Sequence, residues 1–341
     1  MMKLYCGIDL HSNNSVVVIL DEADKVVYQK KLNNDLASIL AQLSIYKDKI
    51  TAIAIESTFN WYWLVDGLME AGYTVKLVNT AEVQTYSGLK HTDDKDDARW
   101  LAHLLRLKIL PTGYIYPKEE RAVRDLLRKR SQLVRQSTTN ILSLQNILAR
   151  NTAQSLSSYK IKKLDDVQAE KLLDDPNTTL ALKCNLNVIR CLQSTIAEIE
   201  TTVLQQARIR AEFKQLLTVS GIGEILGLTI MLESGDMSRF PKVGNFSSYC
   251  RCVKSERLSN GKKKGEGNRK SGNKYLAWAF IEAANFAIRY NDKIKAFYQK
   301  KKVKTNGIIA TKAVANKLAR ACYHVLKDQV PFDVNKSFSR W

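Results

Sequence analysis

The stretch HTDDKDDARW, His91 to Trp100, places four aspartates within five consecutive positions. It leads into ARWLAHLLRL, which has helical spacing, so one or two of the acids are explained as first-turn residues that favour the helix dipole. The others need another reason. Asp94 and Asp97 stand three apart and therefore share one helical face. Adjacent carboxylates repel, and a divalent cation between them removes that cost. Two further acids occupy unusual places. Asp9 lies near the end of the first apolar run, in GIDLHSN, and Glu56 ends the apolar segment that starts at Ile53. A carboxylate at the end of a buried strand is rarely left uncompensated. Asp9, Glu56, Asp94 and Asp97 together would form a pocket of hard oxygen donors suited to Mg²⁺, with Mn²⁺ as a substitute. Two-metal sites of this kind stabilise both the attacking and the leaving oxygen in phosphodiester chemistry.

The elements that must position these acids follow from hydrophobic spacing. KLYCGIDLHSNNSVVVILDE is two apolar runs around a polar turn, a β-hairpin. KVVYQKKL is a third strand, KITAIAIEST a fourth that is apolar enough to be buried on both faces, and TVKLVNT a fifth. NDLASILAQLSIYKD and NWYWLVDGLMEAGY have helical spacing, the second closing at Gly72. The order βββαβαβ, followed by the aspartate helix, predicts an α/β domain with a mixed sheet.

From Lys118 the pattern becomes long and helical. KEERAVRDLLRKRSQLVRQSTTNILSLQNILARN and NLNVIRCLQSTIAEIETTVLQQARIRAEFKQLL, separated by a polar region near Asp174 to Asn177, predict an antiparallel helical hairpin or coiled coil able to oligomerise. Arg121, Arg124, Arg128, Lys129, Arg130 and Arg135 are expected along its exposed surface, as a solvated face or as phosphate contacts. In LLTVSGIGEILGLTIMLESGDMSRF, Gly221 and Gly223 between helical segments have the form of a helix-hairpin-helix turn, whose backbone can approach a phosphate. RCVKSERLSNGKKKGEGNRKSGNK carries nine basic residues against two acidic, including Lys262, Lys263, Lys264, Arg269, Lys270 and Lys274. Its glycines and asparagines predict a flexible loop that binds nucleic acid. Helices resume at YLAWAFIEAANFAIRY and ATKAVANKLARACYHVL.

Composition agrees with a polyanion as partner. The chain holds 53 Lys+Arg against 34 Asp+Glu, a formal charge of +19 over 341 residues, with a pI near 9.6. Such an excess supplies the salt-dependent attraction on which nucleic-acid binding rests. With 45% hydrophobic residues the chain can build real cores, and its length suits about two domains at ~150 residues each. No run approaches the ~20 apolar residues of a membrane span, and MMKLYCGIDLHSNN has no signal-peptide core, so a cytoplasmic, nucleoid-associated protein is expected. The six scattered cysteines read as reduced thiols, and Cys250-Arg-Cys252 lacks the spacing of a zinc site.

GIDLHSNN, Glu56 closing a strand, TDDKDDARWLAHLL, TVSGIGEILGLTIMLESGDMSRF and SNGKKKGEGNRKSGNKYLAWA occur in this order across nearly the whole chain. Together they resemble the DEDD transposases of insertion-sequence family one hundred and ten. The resemblance implies a RuvC-like, ribonuclease-H-type domain over 1–117, a coiled-coil and dimerisation segment over 118–210, and a mostly helical transposase domain over 211–335. It implies an Mg²⁺-dependent recombinase that moves its own element, guided by a bridge RNA pairing with donor and target DNA. Acting as a dimer, and as a tetramer on DNA, would fit that work. The family's four acids map onto Asp9, Glu56, Asp94 and Asp97. Aligning on Thr92-Asp93 instead of Asp97-Ala98 selects Asp93 and Asp96 for the last two. The family's serine nucleophile, which forms a 5′-phosphoserine link, maps onto Ser259, with Ser255 four residues upstream as the other choice. A serine hydroxyl needs activation, and carboxylate-bound Mg²⁺ would supply it. Because serine and acids fall in different domains, domain closure or a site shared between subunits is expected.

Three other readings compete. A RuvC-like nuclease would cut with metal-activated water and leave Ser259 idle. A non-catalytic nucleic-acid-binding protein would not depend on its acids. An actin-like sugar kinase would need glycines after Asp9, where His11-Ser12-Asn13-Asn14 stand.

Overall fold

The computed structural model describes residues 2–83, 94–207, 210–253, 256–266 and 271–338. They form two compact units, Met1–Lys118 and Glu119–Trp341.

The first unit contains β1 (Leu4–Leu10), β2 (Asn14–Leu20), β3 (Val26–Asn33), α1 (Leu36–Ser44), β4 (Ile50–Glu56), α2 (Tyr62–Glu70), β5 (Val75–Val78), α3 (Thr80–Val83) and α4 (Asp94–Arg106). The strands lie in the order β3-β2-β1-β4-β5. β2 runs antiparallel to β1 and β3, while β4 runs parallel to β1 and β5. This is the mixed sheet expected from the spacing, and it is consistent with a RuvC-like fold. Alternation decides what each face buries. Cys6, Ile8, Ile53 and Ile55 pack with Ile39 and Leu43 of α1 and Leu64 and Leu68 of α2. On the other face, Val16, Val18 and Leu20 pack with Ala98 and Ala102 of α4, and Ala54 and Val78 with Leu101. Both faces of β1 and β4 are thus covered, which is why their sequences are almost continuously apolar. The edge strand β3 remains largely exposed and carries Lys30 and Lys31, charges that discourage further strand pairing.

The second unit starts with α5 (Lys118–Thr152), continues through the short α6 (Ser158–Lys162) and α7 (Asp166–Glu170), and returns along α8 (Pro176–Ala207). Spacing predicts α8 only from Asn185. It begins at Pro176, which suits a first helical position, with Asp175 accepting from the Thr178 amide at 2.8 Å. The partners along the two long helices run in opposite order, Glu120 with Arg210 just beyond α8 and Arg130 with Glu200, so the helices are antiparallel. At one end Ile141, Leu144 and Leu148 share a core with Leu182, Leu186 and Ile189, closed by Ile161 and Ala169. At the other, Leu127, Leu133, Ile199 and Val203 enter the main core of the C-terminal helices. Half of the expected middle segment 118–210 is therefore built into the body of 211–335.

That body comprises α9 (Ala211–Leu216), α10 (Glu224–Ser234), α11 (Val243–Tyr249), a hairpin of β6 (Glu256–Ser259) and β7 (Lys262–Glu266), then α12 (Lys274–Tyr290), α13 (Asp292–Lys304), α14 (Gly307–Asp328) and α15 (Val334–Phe338). Among the described residues no helix is long and apolar enough to cross a membrane.

Candidate functional site

Asp9 and Glu56 end neighbouring parallel strands. Ile8 pairs with Ile55, so the two acids are next in register. Period-two alternation puts Asp9 on the face of Gly7 and Glu56 on the face of Ala54, the side covered by α4. α4 lies directly on β1 there: a Cβ added to Gly7 would stand 2.0 Å from the Ala98 carbonyl oxygen and 2.7 Å from the Ala102 nitrogen. Asp97 adjoins Ala98, and its Oδ1 is buried. Asp94 occupies the position one turn earlier, and its side chain lies outside the description. Asp96, two residues before Ala98, falls about 200° around the helix at 3.6 residues per turn. Asp93 lies outside the described residues.

The far end of α4 is fastened to the sheet. His103 Nδ1 meets Asp24 Oδ2 at 2.6 Å, and Arg106 grips both oxygens of Asp24, Nε to Oδ1 and Nη2 to Oδ2, each at 2.8 Å. Asp24 sits in the turn between β2 and β3, level with the start of β1, so the N-terminus of α4 is directed toward the Asp9 end. Burial works against the Asp24 charge, yet the Arg106 hydrogen bond and the neighbouring His103 hold its carboxyl below the usual range. The loops beyond the acids are also tied together. The His11 carbonyl accepts from Asn34 Nδ2 and from Asn60 Nδ2, both at 2.9 Å, joining the turn after β1 to the segment after β4. His11 Nε2 stands 3.1 Å from Asp9 Oδ2, and the Asp9 side chain is only 3% exposed. Among the described residues no three His, Cys, Asp or Glu side chains are already arranged to hold a metal ion.

Ser259 ends β6 and is exposed, paired with Lys262 across the hairpin. A flexible loop was the expectation for this region; two short strands stand there instead. The reason is Asn260-Gly261, with φ of 50° and 70°, the left-handed pair that a two-residue hairpin turn demands. Lys262 and Lys264 are exposed beside it and Lys263 pairs with Leu258. Ser255, Arg269 and Lys270 lie outside the described residues. The chain before and after the hairpin is joined by hydrogen bonds. The Asn273 amide donates to the Tyr249 carbonyl at 2.7 Å, and Arg251 donates through Nε and Nη2 to the Gly272 carbonyl at 3.1 and 2.8 Å.

The arginines of α5 divide differently from expectation. Arg121 and Arg124 are buried, 4% and 6% exposed, because they continue the inward stripe that runs on through Leu127. Arg124 Nε lies 3.2 Å from Glu233 Oε2 of α10, and Arg128 reaches both oxygens of the same carboxylate at 2.6 and 2.9 Å. Asn273 Nδ2 donates to Glu233 Oε2 at 2.7 Å while its Oδ1 caps α12. Glu233 is 2% exposed. Desolvation opposes its charge, but the Arg128 hydrogen bond and the charges of Arg124 and Arg128 outweigh it and hold the carboxyl below its usual value. Arg130 pairs with Glu200 at 2.6 Å. Lys129 and Arg135 do face solvent, as does Lys274. The hub could have been suspected from Glu233 itself, an acid inside the apolar run ILGLTIMLE. At Gly221 φ is 87°, and a Cβ there would meet the Ala283 carbonyl oxygen at 2.2 Å, so the missing side chain makes room for α12. Gly223 is the N-cap of α10, with open space beside it.

Two family models match the chain. Residues 6–152 match the DEDD transposase model of the IS110 type, and residues 213–299 match the transposase model of the IS116/IS110/IS902 family. The first match spans the sheet, α4 and all of α5; the second runs from α9 into α13 and includes the hairpin of Ser259. No curated protein matches the sequence. With both matches in the order that the motifs take along the sequence, this chain belongs to the IS110 family of DEDD transposases, enzymes that cut and rejoin DNA.

Proposed function

We propose that the acids Asp9, Glu56, Asp94 and Asp97 bind Mg²⁺, replaceable by Mn²⁺, and that Ser259 is the nucleophile with which this transposase breaks DNA. The observation that carries the metal reading is the seat of Ala98 on Gly7, two residues before Asp9. It sets the first turn of α4 beside the ends of β1 and β4, and helical register favours Asp94 and Asp97 over Asp96. The donors fit the ion in kind: all are carboxylates, and the buried Asp9 occupies a place where a charge is expensive unless compensated. Bound there, the ion would polarise the scissile phosphate and help ionise the attacking hydroxyl.

Ser259 Oγ would attack phosphorus as the bond to the 3′ oxygen breaks, leaving a free 3′ hydroxyl and a 5′ phosphate esterified to serine. Attack by another 3′ hydroxyl would restore a diester and release the serine. Exposure of Ser259 at a fixed turn, beside Lys262 and Lys264, supports this role, since a nucleophile must reach a bulky polyanion. Lys129, Arg135 and Lys274 would hold backbone phosphates. The wider reading, that a bridge RNA selects donor and target DNA and that a homo-oligomer acts, rests on family membership and on the +19 charge. Transposition of a marked element between plasmids tests the assignment. Asp9→Asn, Glu56→Gln, Asp97→Asn and Ser259→Ala should each abolish it and Asp96→Asn should not; full activity of Ser259→Ala would favour metal-activated water.

A further inference from the structure

The outward face of α12 combines aromatic rings with cations. Lys274, Trp278, Phe286, Arg289 and Tyr290 are all exposed, Trp278 by 37%, Phe286 by 43% and Tyr290 by 75%. Around the axis, at 3.6 residues per turn, Lys274, Trp278, Arg289 and Phe286 span about 120°, and Tyr290 follows one turn beyond Phe286, at the end of the helix past Leu276, Ala279, Phe280, Ala283 and Ala287, which enter the core. Phe286 and Tyr290 lie parallel within 8°, centroids 6.4 Å apart, and the Arg289 guanidinium stands 6.0 Å from the Tyr290 ring. Exposing three large rings on one helix costs hydrophobic free energy and calls for an occupant. The adjoining helix indicates its charge, because α13, DKIKAFYQKKKVK, carries six lysines against one aspartate.

We propose that this face binds single-stranded nucleic acid, with unpaired bases stacked on Trp278, Phe286 and Tyr290 and phosphates held by Lys274, Arg289 and the α13 lysines. Flat rings accept any unpaired base but cannot reach bases stacked within a duplex, so rings alternating with cations suit a single strand. From Lys274 to Tyr290 the helix rises about 24 Å at 1.5 Å per residue, room for on the order of four nucleotides or more. Half-buried Glu282 lies within the face; its carboxylate repels phosphate and leaves acceptors for base amino groups. Asn273, the N-cap of α12, donates its amide to the Tyr249 carbonyl at the end of α11. The inference deepens the transposase reading by naming a surface for unpaired strands, and it does not depend on the serine chemistry.

The test is fluorescence anisotropy in EDTA, where no cleavage occurs, with labelled dT20, rU20 and a DNA duplex of equal length. Replacing Trp278, Phe286 and Tyr290 together by leucine keeps the face apolar and helical but removes the rings. Single-strand affinity should fall at least tenfold, on the scale of losing one stacked base or more, with duplex affinity within threefold. Phe286→Tyr should bind as wild type does. The tighter-bound of dT20 and rU20 shows whether the natural strand is DNA or RNA. Unchanged single-strand affinity would overturn the proposal, and if the triple variant also changes mass in solution, the face belongs to a second copy of this chain. Because binding is read in EDTA, failure of the chemistry would leave this result standing.

Discussion

Gly7 and Ala98 are in contact through their backbones: a methyl group on Gly7 would lie 2.0 Å from the Ala98 carbonyl oxygen. The strand that carries Asp9 and the helix that carries Asp94 and Asp97 are therefore as close as a strand and a helix can come. Gly7→Ala should force α4 off the sheet, at a cost of about 1–3 kcal/mol or more from overpacking. Transposition should fall further than the loss of folded protein explains, because the acids separate. Gly244→Ala, in α11 with nothing within 4 Å of the new Cβ, is the matched control and should be neutral or slightly stabilising. Thermal unfolding and plasmid transposition, measured on both variants, check this.

Asp24 fixes the other end of α4, and its charge can be removed without disturbing its shape. Its φ is 63°, a conformation that asparagine also tolerates, so Asp24→Asn isolates the carboxylate. Because the folded-state pKa lies below the unfolded one, the carboxylate's contribution is present above about pH 4 and is lost as pH falls through the lowered value. Asp24→Asn should lose about 1–2 kcal/mol near neutrality, allowing for partial solvent screening. Urea unfolding from pH 7 down to pH 3 should show the two proteins converging at the acid end. A difference independent of pH would contradict the electrostatic account of this lock.

Arg124 and Arg128 both pair with the Glu233 carboxylate. Glu233→Gln leaves a buried guanidinium without its counter-charge and should cost about 3–5 kcal/mol. Adding Arg124→Leu should recover part of that loss, since the second substitution removes the stranded charge. Chemical denaturation of the single and double variants checks this, and a double variant weaker than the sum of the singles would contradict it.

At Gly261 the geometry is required by φ alone, 70°, with nothing within 4 Å of a Cβ. Gly261→Val should therefore barely alter the melting temperature but should disturb the Asn260-Gly261 turn and displace Ser259. Covalent adduct formation should fall by more than tenfold while duplex binding is kept. Parallel adduct and filter-binding assays separate the two effects.

The sheet was legible in the sequence because each strand announces itself locally, through apolar runs broken by turns, and the two-sided burial of β1 and β4 follows from their composition. Asp9 and Glu56 stood out for the same reason, as acids where acids are rare. What spacing alone could not supply were pairings between distant segments. Arg124 and Arg128 look like surface cations because nothing within α5 reveals Glu233, more than a hundred residues away, and Asp24 gives no sign of His103 and Arg106. The hairpin of Ser259 is signalled by Asn260-Gly261, a strong turn pair, but the surrounding lysines and glycines have the composition of a loop.

Attack of Ser259 on DNA under the control of the carboxylate cluster can be caught as a denaturation-resistant protein–DNA adduct, formed with element-end DNA, bridge RNA and Mg²⁺ and assigned by peptide mapping of the linked residue. The adduct should map to Ser259, carry a 5′ phosphate, and disappear in EDTA, in Ser259→Ala and in Asp9→Asn. DNA cleaved by wild-type protein with no adduct, or an adduct that survives Ser259→Ala, would contradict attack by Ser259.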